Sequence, residues 1–267
     1  MTENSKTAVF GLGAMRFSAN LGFLWTELSL PDAIRAAAKA GFDAVECHWP
    51  YTTPAQQVID ALDETGLQML GLNTLRGNVE AGDNGLSAIP GRETEARAAI
   101  DQALAYAIAI KARNIHVMAG IASGEAAHNT FVANLAYATG LAKKHGITIL
   151  IEPLNHYDAP YYFLQGSNQA RAIIDEVKAD NLKLMFDCYH LQIMEGDISR
   201  RLKALQPIIG HIQIASVPDR AEPDSGELDY RHVFELIQQI GYGEPIGAEY
   251  KPRSTTEDGL GWLRNYS

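Results

Sequence analysis

Four apolar segments in the second half of this sequence carry, at or near their ends, a side chain that can bind a metal ion or move a proton. In chain order these side chains are Glu152, Asp187, Gln213 and Glu249. Three carboxylates and an amide form an oxygen-rich set, which suits a hard divalent cation such as Mg²⁺ or Mn²⁺. Carboxylates beside such a cation can also accept and return a proton. The pattern therefore predicts metal-assisted proton transfer, provided that the fold brings the four residues together.

Each of these residues has an ordinary interpretation when it is taken alone. Glu152 could pair with a lysine at the end of a strand, and Asp187 could begin a turn. Gln213 is harder to explain in this way, because it lies between two isoleucines. A buried amide without hydrogen-bond partners costs about 1–3 kcal/mol. The recurrence of such residues at the ends of consecutive apolar segments favours one shared site.

The apolar segments have the length and composition of strands, and a loop and a helical pattern follow each of them. Ser29 and Gly41 predict the start and the end of the first helix. Eight strands are predicted, at residues 16–21, 44–48, 68–73 and 114–118 and in segments that end at 152, 187, 215 and 249. The later helices are predicted at residues 54–65, 92–110, 128–145, 168–179, 197–205, 230–240 and 257–265.

Eight strand–helix pairs without a low-complexity linker predict a single α/β domain over residues 1–267, folded as a closed (β/α)₈ TIM barrel. Residues 1–13 are predicted to be an N-terminal extension. In such a barrel the C-terminal ends of the strands converge on one mouth, where the chemistry takes place. The long polar loop at residues 76–91 is predicted to be a functional or lid-like loop rather than a domain boundary.

The overall composition excludes several classes of function. The 267 residues carry a net charge of −10, which argues against a nucleic-acid or anionic-membrane binder. The polar N-terminus and the lack of a long apolar run predict neither a secretion signal nor a membrane span, so the expected location is cytoplasmic. Cys47 and Cys188 are expected to be free thiols, since no CxxC motif is present.

Five further residues near strand ends are candidates for contact with a substrate. Glu46, His190 and His211 are expected in or near the mouth, with a structural role as the alternative for each. Arg220 and Lys251 follow the last two predicted strands and could bind an anionic substrate. A surface role is a nearly equal alternative for both basic residues.

A series of motifs along nearly the whole chain resembles the hydroxypyruvate isomerase family, within the xylose-isomerase-like TIM barrels. The matching motifs are, in order, RFSANL at 16–21, GFDAVE at 41–46, IPGRE at 89–93, IEPLNH at 151–156, DCYH at 187–190, GHIQIA at 210–215 and EYKP at 249–252. The resemblance implies that Glu152, Asp187, Gln213 and Glu249 bind the divalent metal. It also implies that Glu152 and Glu249 move protons.

By this resemblance the expected reaction is the interconversion of hydroxypyruvate and tartronate semialdehyde, so the expected partner is a small 2-oxo or hydroxy acid. Association into a homo-oligomer is compatible with the sequence. The 2-oxotetronate isomerases share these motifs and are the main alternative. The ketose 3-epimerases differ by a histidine at the position of Gln213. The first-loop residues Gly22–Trp25 and the residue Cys188 depart from the family pattern.

A metal-dependent nuclease and a non-catalytic sugar-acid binding protein are the two rival functions. The nuclease would need a histidine-rich multi-zinc site and a basic groove, and the predicted strand ends carry too few histidines. The binding protein would not need two opposed carboxylates around a metal. Metal-dependent isomerisation is therefore the function that the sequence favours.

Overall fold

The computed structural model describes residues 15–266. The predicted N-terminal extension, residues 1–13, lies outside this range. Nine parallel strands form the central sheet. They are β1 (Phe17–Asn20), β2 (Ala44–Glu46), β3 (Gln68–Met69), β4 (Gly71–Asn73), β5 (Asn114–His116), β6 (Thr148–Ile151), β7 (Leu182–Asp187), β8 (Ile209–Ile214) and β9 (Ile246–Ala248).

The sheet closes on itself because its two edge strands are consecutive in the chain. The strand order is β3-β2-β1-β9-β8-β7-β6-β5-β4, and only Leu70 separates β3 from β4. The backbone N–H of Leu70 donates to Val45, and its carbonyl accepts from Asn114. The predicted third strand, residues 68–73, is therefore split between two neighbours. The prediction of a (β/α)₈ TIM barrel is confirmed.

Within residues 15–266, eight α-helices follow the strands around the ring. They are α1 (Leu30–Ala40), α2 (Ala55–Thr65), α3 (Glu93–Ala109), α4 (Gly124–Ala142), α5 (Ser167–Val177), α6 (Cys188–Met194), α7 (Ile198–Leu205) and α8 (Tyr230–Gln239). The side chain of Ser29 caps α1, and Gly41 ends it in the left-handed conformation, as the sequence predicts. A 3₁₀ segment, Glu257–Asn265, completes the ring.

Besides the split third strand and the 3₁₀ form of the helix predicted at residues 257–265, three element predictions differ from the structure. Helix α4 begins at Gly124 rather than at residue 128, and its last predicted turn is a 3₁₀ segment at Lys143–His145. Helix α6 was not predicted, because its seven residues are too few to show helical periodicity. The loop at residues 76–91 contains a short 3₁₀ turn, Val79–Ala81.

The register of β7 and β8 places two of the predicted site residues opposite each other. Leu184 pairs with Ile209, but Met185 pairs with His211, so that Gly210 is an extra residue in β8. A Cβ atom on Gly210 would lie 2.6 Å from Cβ of Lys183, which leaves no room for a side chain at this irregularity. After the shift, Asp187 is paired with Gln213.

The core lies between the sheet and the helices, and it connects the first strand to the last segment of the chain. The ring of Phe17 packs edge-on against Trp262 at 5.0 Å and against Phe234 at 5.4 Å. Cys47 and Cys188 are buried and unpaired, as predicted. None of the helices between residues 15 and 266 is long and apolar enough to cross a bilayer.

Candidate metal centre

Three buried carboxylates meet where β6, β7 and β9 end. They belong to Glu152, Asp187 and Glu249, and the ring of His190 lies beside them in the first turn of α6. One ligand atom from each of these four residues lies within 4.8 Å of the others. The structure therefore brings together the three acidic residues that the sequence singled out, although Glu152 and Glu249 are separated by more than a third of the chain.

The carboxylate of Asp187 is oriented by the helix that follows it. Its Oδ1 atom accepts a hydrogen bond of 2.8 Å from the backbone N–H of Tyr189, so that Asp187 is the N-cap of α6. The other oxygen, Oδ2, is buried and has no hydrogen-bond partner among residues 15–266. One carboxylate oxygen thus holds the helix, and the other is left for a ligand.

Among the predicted ligands, two more buried oxygens lack a hydrogen-bond partner within residues 15–266, namely Oε1 of Glu152 and Oε1 of Gln213. The amide nitrogen of Gln213 donates to Glu46 at 3.1 Å, so its oxygen is the end that stays unpaired. Buried acceptors are normally satisfied, because leaving them unpaired costs free energy. Together with the charge of Glu249, these oxygens fit a hard divalent cation such as Mg²⁺ or Mn²⁺.

The hydrogen bonds of His190 determine which of its nitrogens faces the carboxylates. Its Nδ1 atom lies 3.0 Å from the backbone N–H of Asn155, which can only donate, so Nδ1 must accept. The proton of the neutral ring is then on Nε2, which lies 3.6 Å from Asp187 Oδ2 and 3.9 Å from Glu152 Oε1. Burial, followed by the charge of Arg220, lowers the pKa of His190 well below its usual value. The neutral ring of His190 therefore presents an N–H group, rather than a lone pair, to the carboxylates.

Glu249 is surrounded by donors and cations. Its Oε1 atom accepts from Asn20 at 2.8 Å and lies 3.0 Å from Nε2 of His48, and its Oε2 atom accepts from Arg220 at 2.7 Å. Burial alone would raise the pKa of Glu249. The positive charge of Arg220 and the contact with His48 outweigh burial, and they lower the pKa below its ordinary value. Glu249 is therefore ionised at neutral pH.

For Glu152 and Asp187, the effects that raise the pKa outweigh those that lower it. Burial, followed by the negative charge of Glu249, raises the pKa of Asp187 to about 7. The same two causes raise the pKa of Glu152 well above its usual value. Within residues 15–266, no lysine or arginine side chain donates a hydrogen bond to Glu152 or Asp187, although Arg220 lies 3.9 Å from Asp187. The metal-free site therefore favours bound protons on these two groups.

Arg220 is held in place on the rim of the mouth by charges and aromatic rings. It forms ion pairs with Glu249 and with Asp158, and its guanidinium lies 4.8 Å from the ring of Phe23 and 5.0 Å from that of Tyr189. Its backbone φ of 53° is a left-handed conformation that is uncommon for a side-chain-bearing residue. Lys251, in contrast, is exposed, with Nζ 5.9 Å from the ring of Phe23.

Glu46 and His211, both predicted to contact the substrate, are hydrogen-bonded to each other. Nε2 of His211 lies 2.5 Å from Oε2 of Glu46, and both residues are almost fully buried. His211 lies two residues before Gln213 in β8 and therefore one layer deeper in the barrel. Contact of these two residues with a substrate stays a prediction.

Several residues around the site were not predicted from the sequence. Asn20 and His48 both contact Glu249, and His116 Nδ1 lies 3.5 Å from Oε2 of Glu152. Their common signal is a polar residue at or just after a strand in the first half of the chain. A Cβ atom on Gly22 would lie 2.1 Å from the His48 ring, so the unusual first loop makes room for this histidine.

Arg76 is a further missed residue at the mouth. Its guanidinium lies 3.9 Å from the centre of the Trp49 ring. The ring of Trp49 also packs against the ring of His48, with their centres 5.0 Å apart. Within residues 15–266 no carboxylate lies within ion-pair distance of Arg76, and partial burial lowers its pKa. The mouth therefore has an aromatic wall with a positive charge at each end, because Arg220 lies over Phe23 at the other side.

Comparisons with known proteins agree with this geometry. The profile of the xylose isomerase-like TIM barrel family matches residues 34–266. The 2-oxo-tetronate isomerase of Cupriavidus necator is 47% identical over 255 residues, covering 94% of this chain and 98% of that protein. The hydroxypyruvate isomerase of Escherichia coli is 39% identical over 256 residues, covering 94% of this chain and 99% of that protein.

A solved structure is similar over nearly the same extent. The crystal structure described as an AP endonuclease, family 2, from Brucella melitensis superposes with a TM-score of 0.91 at 40% identity. The match covers 94% of this chain and 99% of that one. For each of these three proteins the likeness extends over at least 98% of its length.

The raised pKa values lead to a prediction about stability and pH. Because the pKa of Asp187 is raised from 3.8 to about 7, the folded metal-free protein holds a proton that the unfolded chain releases between these values. Stability of the metal-free protein should therefore fall as the pH rises from 5.5 to 7.5. A divalent ion competes with this proton, so the increase in Tm caused by Mn²⁺ should be larger at pH 7.5 than at pH 5.5.

Thermal unfolding of chelator-treated protein at both pH values measures this effect. Asp187→Asn should weaken the dependence on pH, part of which Glu152 retains, and should remove most of the dependence on Mn²⁺, whereas Asp180→Asn, a change at an exposed aspartate, should retain both. A metal-free Tm that rises over this pH range would contradict the account.

Proposed function

Since the chain belongs to the xylose isomerase-like TIM barrel family, we propose that it is a metal-dependent aldose–ketose isomerase of short 2-oxo hydroxy acids. The proposed reaction interconverts hydroxypyruvate and tartronate semialdehyde (2-hydroxy-3-oxopropanoate). The observation that carries the proposal is the buried group of three carboxylates and one amide at the barrel mouth, in which three oxygens have no protein partner. Relatives named as isomerases, at 39% to 47% identity over nearly the whole chain, support the same class.

Glu152, Asp187, Gln213 and Glu249 would hold the metal ion. The reaction moves a proton between adjacent carbons through an enediolate, and its main barrier is the negative charge that develops on oxygen. When bound, Mg²⁺ or Mn²⁺ would stabilise that charge by polarising the substrate's carbonyl and hydroxyl oxygens. The oxygen-only ligand set suits either ion.

Glu152 and Glu249 are the proposed proton-transfer groups. They follow β6 and β9 and approach the same space from different sides of the barrel mouth. Their environments differ, since Glu249 is bonded to Arg220 and His48 and Glu152 is not. One carboxylate removes a proton from one carbon, and the other returns a proton to the neighbouring carbon.

The remaining residues of the mouth would orient the substrate. The Nε2–H group of His190 faces the carboxylates and is placed to donate to a substrate oxygen. Arg220 and Lys251 bring positive charge to the rim for the carboxylate of a 2-oxo acid. The rings of Phe23, His48 and Trp49 form a wall that limits the access of water to the reacting carbons.

The four-carbon acid 2-oxo-tetronate is the second candidate substrate, because the relative from Cupriavidus necator is named for it. The same mechanism applies, with one additional hydroxymethyl group to accommodate. A nuclease function is disfavoured even though one similar structure is described as an AP endonuclease. The charge of the chain is −10, and the site has oxygen ligands rather than several histidines. A binding protein would leave two opposed proton-transfer carboxylates unexplained.

Proton-exchange NMR on a panel of substrates tests the proposal. Purified protein with Mn²⁺ or Mg²⁺ would be given hydroxypyruvate, 2-oxo-tetronate and a neutral ketose such as fructose, each in D₂O. We expect isomerisation and deuterium incorporation with the acids and little or none with the ketose, because the rim is cationic. Faster turnover of fructose than of either acid would reject the substrate class, and faster turnover of 2-oxo-tetronate would select the second candidate.

Replacement of Glu249 by glutamine separates proton transfer from metal binding. The amide in Glu249→Gln keeps the shape and one oxygen but cannot accept a proton, and general acid–base groups contribute about 10²–10⁴-fold to rate. We expect kcat to fall by at least 10²-fold while the affinity for Mn²⁺ falls much less. Glu244→Gln is the control, since Glu244 is an exposed partner of Arg113 at the opposite end of the barrel. Activity of Glu249→Gln within a few-fold of the wild type would make Glu249 a ligand only.

A further inference from the structure

A layer of buried polar side chains lies directly beneath the metal centre, and its chief members are Glu46 and His211. We propose that Glu46, held by His211, fixes the orientation of the Gln213 amide so that its oxygen, and not its nitrogen, faces the metal. The inference rests on the metal site of the proposed function. It assigns Glu46 and His211 a positioning role in place of the substrate contact that the sequence suggests.

The argument begins with the two ends of the Gln213 side chain. An amide presents one oxygen and one NH₂ group of similar size, and only the oxygen binds a hard cation. Nε2 of Gln213 lies 3.1 Å from Oε1 of Glu46, which as a carboxylate oxygen can only accept. A flipped amide would bring two acceptors together at that contact and direct the NH₂ group towards the cation. Glu46 therefore selects the ligating orientation.

Glu46 is itself held by two donors. Its Oε2 atom lies 2.5 Å from Nε2 of His211, and its Oε1 atom accepts from Asn20 at 3.1 Å. The hydroxyl of Tyr242 lies 3.4 Å from Nδ1 of His211, so that it can donate to Nδ1 while Nε2 donates to Glu46. Both oxygens of Glu46 are thus engaged by protein groups, as a residue that positions Gln213 requires.

The same layer connects Gln213 to Glu249. The amide nitrogen of Asn20 donates to Glu46 and, at 2.8 Å, to Oε1 of Glu249. Gly247, in the strand before Glu249, provides the space for these contacts. A Cβ atom at Gly247 would lie 2.5 Å from Oε1 of Glu46 and 2.8 Å from Cγ of Gln213. The layer of Asn20 and Glu46 therefore supports two proposed metal ligands, Gln213 in β8 and Glu249 just after β9.

Outer groups that orient a metal ligand typically contribute 10–100-fold to metal affinity. Glu46→Met keeps a side chain of similar length but removes both acceptor atoms. We expect its affinity for Mn²⁺, measured by calorimetry on chelator-treated protein, to fall by about 10–100-fold. Glu222→Gln is the matched control and should bind Mn²⁺ like the wild type, since Glu222 is a buried carboxylate that pairs with Arg253. An affinity of Glu46→Met equal to that of the wild type would overturn the inference.

Exchanging the side chains of Glu46 and Gln213 distinguishes a positioning role of Glu46 from an effect of the substitution on folding. Gln213→Glu alone places a carboxylate against that of Glu46, so metal binding should weaken or the protein should be less stable. The double variant Glu46→Gln, Gln213→Glu restores a donor facing an acceptor, and its affinity for Mn²⁺ should recover at least tenfold over the worse single variant. No recovery would reject the role proposed for Glu46.

Failure of this inference and failure of the proposed function give different results. If the wild type binds Mn²⁺ and Glu46→Met does not, the positioning role holds even when no acid in the NMR panel is turned over. If the wild type isomerises a 2-oxo acid and the affinity is unchanged by Glu46→Met, the function holds and the positioning role is wrong. A wild type that binds no Mn²⁺ would overturn both.

Discussion

The crowding of three carboxylates at one end of the barrel is the interaction on which the site depends. Glu152, Asp187 and Glu249 are each about 95% buried or more and close enough to share a single cation. Burial and mutual repulsion both oppose ionisation of such a group. Arg220 and His48 outweigh this effect for Glu249, whereas for Glu152 and Asp187 the charge of Arg220 lowers the pKa by less than burial and Glu249 raise it. A divalent ion is what would allow all three to be ionised at once.

The backbone geometry of the barrel brings these groups together. Parallel strands deliver their C-terminal ends to one mouth. The extra residue Gly210 shifts β8 against β7, so that Asp187 and Gln213 become neighbours. Capping of α6 turns one oxygen of Asp187 towards the helix and the other towards the site. The layer of Asn20, Glu46 and His211 then supports the ligands from below.

The sequence predicts the barrel because its periodicity and its glycine and cap signals recur with each strand–helix unit. Glu152, Asp187 and Glu249 are predictable since each directly ends an apolar run, and Gln213 since an amide between isoleucines needs a partner. Helix α6 is too short to show periodicity, and the start of α4 at Gly124 contradicts the low helix propensity of glycine. Asn20, His48 and Arg76 act through contacts between distant segments, which no local pattern records. The length of the substrate is not predictable either, because the shared motifs belong to the metal centre.

Anomalous diffraction from a crystal soaked in Mn²⁺ tests the central claim most directly, since it locates the ion without reference to activity. The account predicts one strong peak at the mouth, about 2.0–2.3 Å from oxygens of Glu152, Asp187, Gln213 and Glu249, with Nε2 of His190 outside the ligand sphere. A peak ligated by His190 in place of Gln213 would contradict the assigned tautomer and the role of Glu46. A mouth that binds no ion at millimolar Mn²⁺ would contradict the metal centre itself.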